Sequence, residues 1–145
     1  VNILVAVDLS PASAEVIGVA RRVAGATASK VFVMHCAEPE PDFVGYDAGP
    51  EVVRDQVAAE FHREHKAVQD LAGSLRDAGI DATALLIRGP TVETTLQEAE
   101  RIEAELIIVG SHGRGAVYDL LVGSYSSGIL RRSMVPVLVV PTRGE

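Results

Sequence analysis

"ELIIVGSHGRGAVYDLLVGS", residues 105–124, decides the fold. It opens with a short apolar run, 105–110, that reads as a strand. It continues through Gly110, Ser111 and Gly113, crosses a greasy and charged middle, and closes on Gly123 and Ser124. A strand that runs into small residues and then into a helix start is the punctuation of an α/β chain, in which loops at the carboxyl ends of parallel strands form binding crevices.

The same kind of apolar run recurs at 3–7 ("ILVAV"), 30–37 ("KVFVMHCA"), 81–87 ("DATALLI") and 135–140 ("VPVLVV"). Near-continuous apolar runs indicate strands covered on both faces, as in a parallel sheet. Helical patterns fill the gaps. Ser10 is a good N-cap and Pro11 suits the first helical position, so the first helix is expected from there to about Gly25. The second is expected from about Glu51 to Ala78, with Val53, Val57, Phe61, Val68, Leu71 or Ala72, and Leu75 near one stripe and Gly79 as its stop. The third starts near Gly89-Pro90-Thr91 and carries Val92, Leu96, Ala99 and Ile102 at helical spacing. The fourth runs from near Ser124 to near Ser133. The alternation predicts one α/β domain spanning 1–145: a doubly wound, parallel five-stranded sheet with right-handed crossovers and helices on both faces.

Composition narrows the function classes. The chain has 145 residues, nearly half of them apolar, and a formal net charge of −7. With no Lys/Arg cluster and no Trp, the basic face that backbone-driven nucleic-acid binding requires is missing. No apolar run reaches the roughly 20 residues of a membrane span, and no secretion signal is evident at the N-terminus. Cys36 is the only cysteine. It reads as a small core residue, and a cytoplasmic protein is expected. The segment 38–50 is an irregular, acidic loop; Glu38, Glu40 and Asp42 lack partners at metal-ligand spacing.

Two loops lie at carboxyl ends of strands: 8–13 ("DLSPAS") and 110–115 ("GSHGRG"). If the first three strands step one way and the fourth returns beside the first, they flank one crevice. Glycine lets backbone N–H groups approach an anion, and a helix beginning near Ser124 adds free N–H groups and the positive end of its dipole. Each residue also has a plainer role: Gly110 ends a strand, Gly113 serves a turn, Ser124 caps a helix. His112 either touches phosphate or is a solvent-exposed turn residue. Asp8 either binds a ribose or caps a nearby turn. Ser10 and Ser13 read as caps.

Some chemistry is disfavoured. The chain has no P-loop motif. Its only lysines, Lys30 and Lys66, lie outside the glycine segment, where Arg114 is the sole cation. Phosphoryl transfer depends on positioned charge, so binding is favoured over fast hydrolysis. A phosphoaccepting receiver domain would carry an Asp where Arg88-Gly89 stand. His62 and His65 lack a third ligand, and Arg131 and Arg132 complement a helix C-terminus. His35 reads as a strand residue held by local hydrogen bonds.

The spacing Gly110-x2-Gly113-x9-Gly123-Ser124, the opening "ILVAVDLSPAS", "VMHCAEP" and the closing "VPVLVVP" resemble the nucleotide-binding branch of the universal stress proteins along nearly the whole chain. The resemblance implies strand order 3-2-1-4-5 and ATP or another adenine nucleotide between the first and fourth strands, with Mg2+ a candidate companion of the phosphates. It places Asp8 at the adenosine end and Cys36 where backbone groups of the second strand meet adenine. Gly110, Gly113, Gly123, Ser124 and Ser126 match ribose and phosphate contacts; Ser111, His112 and Tyr125 complete the expected site. Part of the family lacks these glycines and binds no nucleotide; this chain keeps them. Tyr125 departs from the smaller β-branched residue common at its position, and an inward-turned ring would crowd the phosphates. The expected protein is a nucleotide-dependent regulator or stress-response factor. A slow ATPase or self-phosphorylating enzyme, and an adaptor with structural nucleotide, are the alternatives. A homodimer through 135–140 is expected, because a Val-rich edge strand needs a cover.

Overall fold

The computed structural model describes residues 1–37, 50–89, 91–112 and 123–142. Strands and helices alternate within them: β1 (Asn2–Ala6), α1 (Ser13–Thr27), β2 (Lys30–Ala37), α2 (Pro50–Asp77), β3 (Ala82–Arg88), α3 (Thr91–Arg101), β4 (Leu106–Gly110), α4 (Ser124–Arg132) and β5 (Val137–Val140). The sheet order is β3-β2-β1-β4-β5, and every neighbouring pair is parallel. This is the expected doubly wound architecture.

Side chains on a strand alternate between faces, and two cores follow from that. Ile3, Val5, Val31, Val33 and Ile108 pack under α1 and α2, against Val16, Ile17, Ala20, Val68, Ala72 and Leu75. Leu4, Ala6, Met34, Cys36, Ile107 and Val109 face the other way, toward Ala99, Ile102 and Ile129 of the α3–α4 layer. Both faces being buried is why the strands read as continuous apolar runs. In the α2 stripe, Val68, Ala72 and Leu75 are fully buried. Phe61 instead lies under the Arg88 guanidinium, 4.5 Å from ring centroid to Cζ. The expectations for the Val53 and Val57 side chains, for the loop 38–50 apart from the helical Pro50, for Pro90 and for Gly113 and Arg114 lie outside what is described.

Gly79 stops α2 as expected. Its φ is +87°, and Gly79 N–H and Ile80 N–H bond to the carbonyls of Arg76 and Leu75 at 2.9 and 3.0 Å, a Schellman arrangement. Two other left-handed caps carry no glycine: Ala28 (φ 52°) after α1 and Glu103 (φ 54°) after α3.

The start of α1 corrects the sequence reading. Ser10 is not its N-cap, and Pro11 is not its first residue. Ser13 begins the helix, and Ala12 stands before it without a side-chain cap bond. The cause lies at Leu9, whose φ of 64° turns the chain left-handed. Pro11 and Ala12 are then used in a turn closed by Ser13 N–H on the Ser10 carbonyl at 2.9 Å. The helix also runs two residues beyond Gly25, to Thr27.

Candidate functional site

In this strand order β1 lies between β2 and β4. The chain steps one way through β1, β2 and β3 and the other way through β4 and β5. The switch point is therefore the β1–β4 junction, and the loops after both strands leave from the same edge. Ligands of open α/β sheets bind at that place.

Asp8 follows β1. Its Oδ1 accepts the Ser10 N–H at 2.9 Å and the Ser13 hydroxyl at 3.2 Å. The turn-capping role is thus real, and it fixes the carboxylate at the crevice. Ser13 therefore serves Asp8 rather than capping α1. Behind it, His35 of β2 donates from Nδ1 to the Val7 carbonyl at 2.9 Å; a carbonyl only accepts, so that nitrogen carries the proton. The other ring nitrogen lies 3.2 Å from Glu64 of α2. The peptide just before Asp8 is thereby tied to two elements.

The loop after β4 is held from the far side. Thr142, which follows β5, donates its N–H to Ser111 Oγ at 2.9 Å and its hydroxyl to the His112 carbonyl at 3.2 Å. Thr142 Oγ1 also accepts the His112 N–H at 3.1 Å. Ser111 Oγ lies 3.1 Å from His112 Nδ1. Ser111, His112 and Thr142 are all buried. His112 is therefore not the exposed turn residue that was one of its two readings: Thr142 draws its backbone inward. Gly110 has a packing reason for lacking a side chain, since a Cβ there would lie 3.2 Å from Thr142 Oγ1 and Cγ2 and 3.4 Å from Val16 Cγ2. Sequence reading missed Thr142; a single Thr after a strand carries no signal.

Gly123, not Ser124, is the N-cap of α4, and it offers no side-chain cap bond. An α-helix leaves its first N–H groups without intrahelical acceptors, and no acidic residue stands in this first turn. Gly123 has φ −71°, a value any residue adopts, so close approach rather than backbone conformation is what a side chain there would obstruct. The helix start is anchored to β4. Gly123 N–H bonds to the Ser111 carbonyl at 2.6 Å, and the Ser126 hydroxyl bonds to the Gly110 carbonyl. Ser124 is exposed.

Tyr125 turns away from this crevice. Its hydroxyl meets Thr95 Oγ1 of α3 at 2.6 Å, and its ring packs in the core of the α3–α4 layer. Burial pushes the phenol pKa up, only partly offset by the Thr95 bond. Cys36, near the end of β2, is buried beside the same threonine, its Sγ 3.6 Å from Thr95 Oγ1. Burial raises its thiol pKa, and the Thr95 contact offsets part of that. Cys36 is a core residue, as expected, near the carboxyl end of β2, where it pairs with Ile87 of β3.

His62 and His65 are exposed on α2. Among the described residues no group of three His, Cys, Asp or Glu is placed to hold a metal, and no helix is long and apolar enough to cross a membrane. Arg131 and Arg132 occupy the last turn of α4, where cations complement the dipole.

This architecture has relatives. The sequence matches the universal stress protein family over residues 2–141. It is 32% identical over 140 residues to a universal stress protein of Thermus aquaticus, covering 96% of this chain and 97% of that one. Its fold superposes on the structure of MJ0577 with a TM-score of 0.82 at 21% identity, covering 99% and 97% of the two chains. A universal stress protein in complex with cAMP gives a TM-score of 0.68 at 21% identity, over 97% and 95% of the chains. The Archaeoglobus fulgidus universal stress protein in complex with dAMP gives 0.65 at 20%, over 96% and 96%. A whole-chain match in sequence, on the same strand order, makes this chain a member of the universal stress protein family.

Proposed function

We propose that this chain binds an adenine nucleotide at the β1–β4 switch point and acts as a cytoplasmic regulator or stress-response factor whose state follows occupancy. The observation that carries this reading is the start of α4. A helix N-terminus without a side-chain cap and without a first-turn carboxylate stands directly beyond β4. Such an end favours an anion through free N–H groups and dipole together. Two family members of the same fold are complexed with adenine nucleotides, cAMP and dAMP.

In this reading the backbone of Gly113, Gly123, Ser124, Tyr125 and Ser126 receives the phosphates. Gly110, Ser111 and His112 shape the loop, Asp8 faces the ribose, and the backbone at Cys36 meets the adenine. An anion such as Asp8 beside the phosphates would repel them, so its place is the adenosine end. In this reading the ligand is ATP or another adenine nucleotide, and Mg2+ would be held by the phosphates themselves, because it keeps several waters and needs few protein ligands. Native mass spectrometry of the purified chain tests the proposal: a retained mass matching an adenine nucleotide supports it. Single-turnover hydrolysis compared with Gly113→Val separates a binder from a slow ATPase.

The working unit in this reading is a homodimer formed through 135–140. β5 is the edge of the sheet, and Val137, Leu138 and Val139 are only half-buried. Beside them Met134 is 97% exposed and Leu130 46%. A Val-rich edge with neighbouring exposed apolar side chains favours two-fold pairing with a second copy.

A further inference from the structure

We propose that Tyr125 is a positioning residue for the phosphate end of the site: its hydroxyl, seated on Thr95, sets where the first turn of α4 presents its N–H groups, although the ring points away from the ligand. The inference rests on the nucleotide reading above and deepens it.

The hydrogen-bond directions follow from the chemistry. The Thr91 carbonyl can only accept, so Thr95 donates its hydroxyl to it, at 2.7 Å. Thr95 Oγ1 is then the acceptor for Tyr125, whose O–H donates at 2.6 Å. The result is a directed chain, Tyr125 to Thr95 to Thr91, in which each bond polarises the next. Cys36 Sγ closes it from the β2 side, 3.7 Å from the Thr91 carbonyl. Burial keeps the phenol protonated and therefore a donor.

This chain holds α4 to α3, while its other anchors hold it to the end of β4. Gly123 and Ser126 tie the helix start to β4. Tyr125 ties it to Thr95 of α3 and, through Thr95, to the Thr91 carbonyl in the first turn of that helix. One turn further on, Gly128 lets the two helices close up: a Cβ there would lie 2.9 Å from Val92 Cγ2. Tyr125 and Gly128, three apart, share a face of α4. Tied to both β4 and α3, the first turn of a nine-residue helix is restrained in where it presents its N–H groups. Charge-assisted bonds to phosphate are short and directional, so they depend on that placement. Adenosine depends on it less: the Cys36 thiol touches this chain, but the Cys36 backbone that meets the adenine is held in the β2–β3 ladder.

The test uses the full chain and three probes: ATP, AMP and adenosine. Tyr125→Phe is expected to weaken ATP about fivefold, the effect of one net hydrogen bond, and to leave adenosine within about twofold. The double variant Tyr125→Phe/Thr95→Val removes both polar partners, so its thermal midpoint should return toward wild type while ATP remains weakened. A merely structural role would restore both together. In the ligand-free protein, exchange of the Ser127 amide, which bonds to the Gly123 carbonyl at 2.9 Å, should quicken in Tyr125→Phe. Equal loss of ATP and adenosine, ATP affinity that recovers with stability, or an unchanged Ser127 exchange rate would each overturn the inference. Quickened exchange in a protein that binds none of the probes would instead overturn the nucleotide reading.

Discussion

Thr142→Val removes one oxygen and keeps the shape. In the native chain that oxygen accepts the buried His112 N–H at 3.1 Å and donates to the His112 carbonyl at 3.2 Å. It also lies 3.3 Å from Ser111 Oγ. Valine fills the same volume, so no cavity arises. The cost is the loss of the two bonds that this oxygen makes with the His112 backbone, about 2 kcal/mol at about 1 kcal/mol net for each. For a chain of this size that lowers the thermal midpoint by about 6 °C. Thr142→Ser is the control. It keeps the oxygen and loses a methyl, about 0.8 kcal/mol. It also removes Cγ2, one of the atoms a Cβ at Gly110 would meet at 3.2 Å, so Gly110→Ala should be better tolerated in the serine background. Thermal and urea melts of the three variants decide the matter. Valine within about 0.5 kcal/mol of wild type, or serine as damaging as valine, would refute the argument that the polar clasp holds 110–112 in place.

Ala28→Gly and Glu103→Gly should each stabilise by about 1 kcal/mol, because both positions are left-handed caps without glycine and a Cβ is costly there; a lower urea midpoint in either would contradict this. Stability should fall as pH rises above about 8.5 and again above about 10, the unfolded thiol and phenol values. Burial raises the native pKa of Cys36 and of Tyr125, so the unfolded chain releases those protons first and gains at high pH. Tyr125→Phe should flatten the upper part of that decline, which pH-dependent melts would show. Val139→Lys should shift the dimer to monomer in sedimentation at micromolar concentration, and a wild type that sediments as monomer throughout would remove the edge-pairing proposal.

The sequence-level reading found the elements because the sheet is buried on both faces, so each strand is an uninterrupted apolar run, and because Gly79 marks the end of α2 chemically. It reached the strand order only through the family resemblance, since alternation alone permits several orders. It misplaced the start of α1 because Ser10 and Pro11 satisfy the usual cap pattern; the left-handed turn at Leu9, a residue with no preference for it, gives Ser10 to Asp8 instead. In the site, the glycine spacing was legible because it is a backbone property. Where Tyr125 points was not, because it depends on how closely α3 and α4 approach through Val92 and Gly128. The burial of His112 was hidden for a similar reason: its partner Thr142 lies thirty residues away.

Titration calorimetry of the wild-type chain with ATP, alongside Gly113→Val and Gly123→Val, tests the central claim most directly. The account predicts saturable heat with the wild type and its loss in both folded variants, because an added side chain blocks backbone approach to phosphate. No heat with the wild type at millimolar ATP, or an unaltered dissociation constant in either variant, would contradict it.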